Sequence, residues 1–537
     1  EAAVVDSLVV TWPGETKQLL RNLPADTVLV LREEDARGTK GSPYPPGPAF
    51  RPVPSPLPFA HAQPAVNDFK RQPLLVNPLS FAGPCLVKGD VNGDGRADLY
   101  AGGGPGQPGV LYLGGAGGTF TARPTPAFQT DQESDDVDAL FFDANGDRFP
   151  DLYVCSGGYH GYAPDDPRLQ DRLYLNDGKG NFTKSPNALP AMPVSTSCAR
   201  AEDVNGDGHP DLFVGGRVVP GRYPEMPRSY LLLNDGKGRF RDATVALAPG
   251  LERPGLVTDA AWADLDGDGG NELVVVGEWM PVHVWKKGNG KLTEATDAYF
   301  AKPYRGWWNK LLAGDLNGDG KADLLVGNMG LNTQCKASPQ EPAELYYKDF
   351  DDNGAVDPIL CLYSGSKSYP YASRDELLDQ ISLMRTRFPD YKRYADATLK
   401  DIFTPEELKG AARLSADHLA TTFFRSTPGG KLQEAQLPPE AQFAPVFAMT
   451  TLDYNRDGHP DLLLGGNVNR ARLRLGNADA NYGLLLRGDG RGNFVAVPQR
   501  QSGLQLRGDV RCILNLDGNL LFGLNGQPVA AYKTKQP

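Results

Sequence analysis

Six short stretches of the chain place acids and amides at one fixed spacing, D-x-[ND]-x-D-x-x-x-[DE], and a seventh comes close to it. Positions 1, 3, 5 and 9 are Asp90, Asn92, Asp94 and Asp98 in the first copy, then Asp143, Asn145, Asp147 and Asp151, and Asp203, Asn205, Asp207 and Asp211. The fourth copy has Asp264, Asp266, Asp268 and Glu272, the fifth Asp315, Asn317, Asp319 and Asp323, and a later one Asp453, Asn455, Asp457 and Asp461. In the remaining copy, Asp349, Asp351, Asn353 and Asp357, an Asn replaces the third Asp. Position 7 would add a backbone carbonyl, from Arg96, Phe149, His209, Gly270, Lys321, Ala355 and His459. Calcium takes about six to eight oxygen ligands, and such a loop supplies most of them from one segment. Zinc does not suit an all-oxygen set, and magnesium keeps more of its water. The expected cofactor is therefore Ca2+, at six or seven sites.

Two other readings use the same residues. An EF-hand needs a Glu at position 12, but Ala101, Val154, Val214, Val275, Val326 and Leu464 stand there, and all are apolar. Plain Asn/Asp/Gly turns without metal do not call for an acid at position 9 every time; for the Asp349 copy that reading stays open. Gly at position 6 permits the tight turn, and Arg148 in its place predicts a distorted second site. Without an ion, carboxylates this close raise one another's pKa. Calcium is thus expected to be a component of the fold.

The elements that position these loops are short strands. Each of the six full copies is followed by Leu and an apolar run, as in Leu212-Phe-Val-Gly-Gly, and Asn-Asp-Gly hairpin signals recur in Arg172–Phe182 and Ser229–Phe240, with a related Gly-Asp-Gly in Leu484–Phe494. Loop-to-loop intervals of 53, 60, 61 and 51 residues fit four-stranded units. The expected fold is an all-β β-propeller over residues 58–537, with seven blades and eight as the alternative. A helical insertion is expected over 373–420, opened by the capping box Ser373-Arg-Asp-Glu376 and continued at Thr404-Pro-Glu-Glu407. After the last loop, Val510–Leu516, Leu520–Leu524 and a run from Pro528 read as a metal-free blade lacking one strand, which residues 57–85 could supply. Residues 1–36 read as three strands, Val4–Trp12, Gln18–Leu23 and Thr27–Arg32, set off by a proline-rich linker over 37–57.

Composition narrows the function. The 55 Lys+Arg against 66 Asp+Glu leave a net charge of −11 with no basic stripe, so no nucleic-acid partner is expected. No run approaches the ~20 apolar residues of a membrane span, and the first residues do not resemble a signal peptide. The six cysteines lack C-x-x-C spacing, and those in apolar runs read as buried thiols. Six His, two of them inside acidic loops, form no Ser/His/Asp set, so the chain is read as a structural or binding protein and not an enzyme. A carbohydrate-active or other enzyme on the same scaffold is the alternative. Arg487-Gly-Asp489 and Arg507-Gly-Asp509 are read as chance tripeptides, and Trp279, Trp285, Trp307 and Trp308 as packing between blades.

The acidic loops, with Phe81-Ala-Gly-Pro84 before the first, resemble the FG-GAP and VCBS repeats of integrin-α-like propellers over roughly residues 58–535. Val5-Asp-Ser-Leu-Val-Val-Thr-Trp-Pro-Gly14 and Asn22-Leu-Pro-Ala-Asp26 are similar to the end of an ASPIC/UnbV domain, found beside such propellers in secreted bacterial proteins related to cartilage acidic protein. The resemblance implies an extracellular or cell-surface, calcium-loaded module for structure, adhesion or partner binding, and a piece of a longer chain. Its partners would be protein or carbohydrate at the cell surface, other copies of itself, or the rest of that chain.

Overall fold

The computed structural model describes residues 3–12, 16–36, 47–288, 290–472 and 474–534. They fall into two compact units, Glu1–Ala49 and Phe50–Pro537. In the first, Val4–Thr11 pairs antiparallel with Lys17–Pro24. The third strand expected at Thr27–Arg32 does not form: the chain turns at Ala25-Asp26, and Val28 and Val30 stay 93% and 82% exposed, pairing with none of the described residues. The first part of the expected linker, residues 37–46, lies outside the described residues.

The second unit is mostly β, a succession of antiparallel four-stranded sheets forming a propeller-like fold. The first sheet holds Leu86–Gly89, Asp98–Ala101, Val110–Gly114 and Phe120–Arg123, and the second Asp135–Phe142, Asp151–Gly157, Arg172–Asn176 and Phe182–Lys184. The third holds Ser195–Glu202, Asp211–Val218, Tyr230–Asn234 and Phe240–Asp242. The fourth holds Leu256–Ala263, Glu272–Pro281, His283–Gly288 and Lys291–Glu294, with Arg305–Trp307 added beside Glu272–Pro281. Lys310–Gly314, Asp323–Gly327, Thr422–Ser426 and Leu432–Ala435 make the fifth, and Val446–Leu452, Asp461–Gly466, Leu484–Gly488 and Phe494–Ala496 the sixth. The last is Val510–Leu516, Asn519–Leu524, Ala530–Thr534 and, from the other end of the chain, Phe50–Val53. The first strand of each sheet touches that of the next, and Val510–Leu516 touches Leu86–Gly89, so the order closes on itself.

Face-to-face packing of neighbouring sheets explains the apolar runs. Asp211–Leu212-Phe-Val-Gly-Gly216 is buried at every residue because this strand is covered on both faces. Tyr153, Cys155 and Leu173 of the second sheet interlock with Ala199, Leu212 and Leu232 of the third, and the same arrangement recurs between later pairs. The four tryptophans read as packing residues are 0–5% exposed, with Trp279 and Trp307 edge to face at 4.7 Å. All six cysteines are free thiols.

Three expectations change. The strand that completes the last sheet is Phe50–Val53, not one within 57–85. Pro52 disguised it, since a proline-containing segment reads as linker, yet an outermost strand tolerates a missing N–H. Residues 57–85 instead strap several sheets together: Gln72 donates to the carbonyls of Tyr223 and Val356, and Arg472 and Arg511 donate to those of Leu75 and Phe81. Second, the insertion is larger than a helical decoration. An extra four-stranded sheet, Ala343–Lys348, Asp357–Ser364, Lys367–Pro370 and Ala412–Ala416, is spliced between the second and third strands of the fifth sheet and carries the Asp349 loop. Third, Leu377, Ile381, Met384 and Phe388 are buried as expected, but on two helices, Arg374–Gln380 and Met384–Arg387, and the residues that follow each. Both capping boxes form.

Charge is also buried along the first strands. Arg200 pairs with Asp138 at 2.6 Å and with Asp259, and Lys310 pairs with Asp259 at 3.0 Å, so one ionic chain links four consecutive sheets. Asp135 is less well served: its Oδ1 is buried without a partner, while Asp136 beside it takes Arg172 at 2.6 Å. Burial, then the Asp136 charge, pushes Asp135 up to about 7, with Arg172 opposing.

Two predictions follow from this architecture. Asp135 holds a proton in the fold that the unfolded chain releases above pH ~4, so its contribution is full below that and is lost as pH rises through about 7. Asp135→Asn should therefore match wild type in urea unfolding at acidic pH and exceed it at pH 8, by up to about 4 kcal/mol. Phe50 is fully buried in the closing strand, so Phe50→Ala should lower unfolding stability by about 3–5 kcal/mol; a loss below 1 kcal/mol would show that this strand does not close the sheet in solution.

Candidate metal centres

Every acidic loop is the connection between the first and second strands of a sheet, and its backbone is wound around its own side chains. In the first loop Asp90 Oδ1 accepts from the N–H groups of Gly93 and Asp94 at 2.8 and 3.1 Å, and Oδ2 from Gly95 at 2.8 Å. Asp143, Asp203, Asp264, Asp315, Asp349 and Asp453 each accept an equivalent bond from the position-6 N–H. The position-3 side chain accepts from the N–H of position 5 in six loops, through Asn92, Asn145, Asn205, Asp266, Asn317 and Asn455. The position-7 residues Arg96, Phe149, His209, Gly270, Lys321 and His459 donate their N–H to the position-5 carboxylate, and Ala355 donates to Asn353. Asn353 thus takes over the Asp role at position 5 in its loop.

Position 6 has positive φ throughout, as at Gly208 with 85°. Arg148 adopts the same left-handed conformation at 72°, at some cost for a residue with a Cβ, and its loop keeps the same bonds. The distortion expected for the second loop is absent.

The acid at position 9 does something that spacing alone did not reveal. Asp98, Asp151, Asp211, Asp323, Asp357 and Asp461 are completely buried, and Glu272 is 1% exposed. One oxygen of Asp211 accepts from the N–H of Val204 in the loop at 3.1 Å, and the other from Asn234 at the end of the third strand at 2.8 Å. Asp98, Asp151, Asp323 and Asp461 repeat this with Gly114, Asn176, Ser426 and Gly488. In the Asp349 loop Gln380 Nε2, from the inserted helix, replaces the strand N–H at 2.7 Å from Asp357. Burial raises Asp151, Asp357 and Asp461 to about 6 against these hydrogen bonds, with the acid at position 1 and that at position 5, or 3 for Asp357, adding to the rise.

The loops differ in what faces the centre. Oxygens of Asp349, Asp351 and Asp357 all lie within 4.8 Å of one another, and Asp351 Oδ1 is buried without a partner. This donor set fits a hard divalent cation, which would take up the orphaned oxygen. Asp264, Asp266 and Asp268 are equally close, but Lys286 reaches in from the third strand of that sheet, 2.5 Å from Asp266 and 2.8 Å from Asp268. Neither Lys286 nor Gln380 was singled out in the sequence; the signals were Glu272 where every other copy has Asp, and Asp266 where the other full copies have Asn. Both Arg-Gly-Asp tripeptides are committed internally: Asp489 accepts from Arg491 and Asn493 in a hairpin, and Asp509 is buried against Asn469.

Comparison with known proteins bears on the loops. No curated protein matches the chain. Among solved structures it is similar to the V. cholerae biofilm matrix protein Bap1, at 11% identity over 89% of this chain and 90% of that one, with a TM-score of 0.35. It is also similar to BBS1N in complex with ARL6DN (12% identity, 86% and 95% covered, TM-score 0.36) and to the computationally designed Ika8 protein (11%, 86% and 99%, TM-score 0.36). Likenesses of this degree carry no argument about fold or function. The family matches are sequence-based: residues 90–154, 159–214 and 264–326 match the FG-GAP-like repeat, and 307–356 the FG-GAP repeat. Each matched segment contains one or two of the acidic loops, so it is the loops and the strands beside them that are similar to FG-GAP repeats.

Proposed function

We propose that the chain is an extracellular, calcium-stabilised propeller-like module that serves structure, adhesion or partner binding. The observation that carries the calcium reading is the Asp349 loop, where three carboxylates converge within 4.8 Å while Asp351 Oδ1 is buried without a partner. Like charges at that distance destabilise an ion-free site, and a divalent cation reverses the sign of the interaction. The shared backbone winding of the other loops extends the reading to them, with the fourth treated separately below. FG-GAP repeats typically occur in extracellular or surface proteins and are generally non-enzymatic modules. No helix among the described residues is long and apolar enough to cross a membrane. The ASPIC/UnbV reading of residues 1–36 rests on the two motifs quoted above. The hairpin there leaves Val4, Val5, Val9 and Leu19 about half exposed, which supports pairing with β-structure from a longer chain or from another copy.

Two measurements separate the metal from the fold. Excess EGTA should lower the melting temperature sharply in calorimetry, since ions bound only by the native state add to its stability; an unchanged melt would sink the calcium reading. Asp211→Ala orphans two buried N–H groups, at about 1–3 kcal/mol each, so it should destabilise even in EGTA. Asp207→Ala, at an exposed position in the same loop, should cost stability in calcium and little in EGTA.

A further inference from the structure

We infer that the fourth acidic loop, residues 264–272, carries its own cation, the Lys286 ammonium, and takes no calcium. This rests on the calcium reading of the other loops and refines it. Lys286 Nζ lies 2.5 Å from Asp266 Oδ2, 2.8 Å from Asp268 Oδ2 and 3.3 Å from Glu272 Oε1. An ammonium has three N–H donors, and here it donates to the carboxylates at positions 3 and 5 and pairs ionically with the one at position 9. Calcium bound to the same oxygens would sit about 2.3–2.6 Å from each, in the space that Nζ occupies. Two cations cannot share it.

Three features set this loop apart together. Position 3 is Asp266, where the other five full copies have Asn. That extra acid is matched by Lys286, and Tyr299 also donates to it at 3.0 Å. Position 9 is Glu272, whose added methylene extends the carboxylate, and the Lys286 ammonium approaches one of its oxygens while Leu265 N–H holds the other at 3.0 Å. Lys286 itself follows Trp285, the cross-strand partner of Leu273. In the first three sheets the equivalent residues follow Tyr112, Tyr174 and Leu232, and they are Leu113, Leu175 and Leu233. The fifth and sixth sheets have Arg425 and Arg487 there, and the Arg425 side chain lies against Gly492 in the next sheet's hairpin.

The consequence is a propeller in which one sheet holds its loop closed whatever the calcium concentration. The test counts calcium per chain by plasma mass spectrometry after gel filtration in micromolar calcium. Asp266→Asn/Asp268→Asn should leave the wild-type count unchanged, and Lys286→Leu should raise it by one. A count that falls by one in the double variant overturns the inference, as does a folded Lys286→Leu protein with an unchanged count. If Lys286→Leu does not fold, the double variant decides alone. Calcium absent from wild type yet gained by Lys286→Leu would uphold the lysine assignment and overturn the calcium reading of the other loops; calcium absent from all three proteins would overturn both.

Discussion

The carboxylate at the ninth loop position ties three pieces together in five of the repeats. In the third sheet, Asp211 stands at the start of the second strand, holds the loop through Val204 N–H, and holds the third strand through Asn234 N–H. A buried carboxylate is costly unless its oxygens are satisfied, and a buried N–H is costly unless it has an acceptor. Each of these groups answers the other's need, so strand, loop and neighbouring strand are set in one register. The acids at positions 1 and 5 then arrange the loop backbone around a small polar centre. Metal affinity and strand register are thus built from overlapping atoms, and a position-9 acid is required by the sheet whether or not an ion is bound.

A second constraint runs around the first strands. Asp138, Arg200, Asp259 and Lys310 come from four consecutive sheets and alternate in sign. Burial works against the Asp259 charge, yet Lys310 and Arg200 hold its pKa below the usual range. Buried pairs of this kind are weak evidence for net stability, but breaking one partner leaves an uncompensated charge. They act as fixed spacers between sheets whose apolar faces would otherwise tolerate small slips.

Much of this was legible because local rules and tertiary demands coincide. The Asp203–Asp211 spacing, the apolar run after it and the Asn234-Asp-Gly hairpin each specify their element without reference to the rest of the chain. Where the two disagreed, the sequence misled. Thr27–Arg32 is apolar and β-branched like a strand but pairs with none of the described residues, and Phe50-Arg-Pro-Val53 looks like linker but is called into a sheet by Ala530–Thr534, far along the chain. Arg148 promised distortion, and its backbone takes the left-handed conformation regardless.

The sequence by itself determined the repeat, the all-β class and the residues from which a cation site can be made, because all of these depend on contacts within a few residues. Only the tertiary structure decided which end of the chain closes the last sheet, where the extra sheet is spliced, and what faces each loop's centre. An orphaned oxygen of Asp351 in one loop and the ammonium of Lys286 in another follow from side chains that meet across strands. Two loops with nearly the same spacing therefore differ in whether a side chain of the protein already supplies a cation, and spacing along the chain does not place Lys286 at that centre.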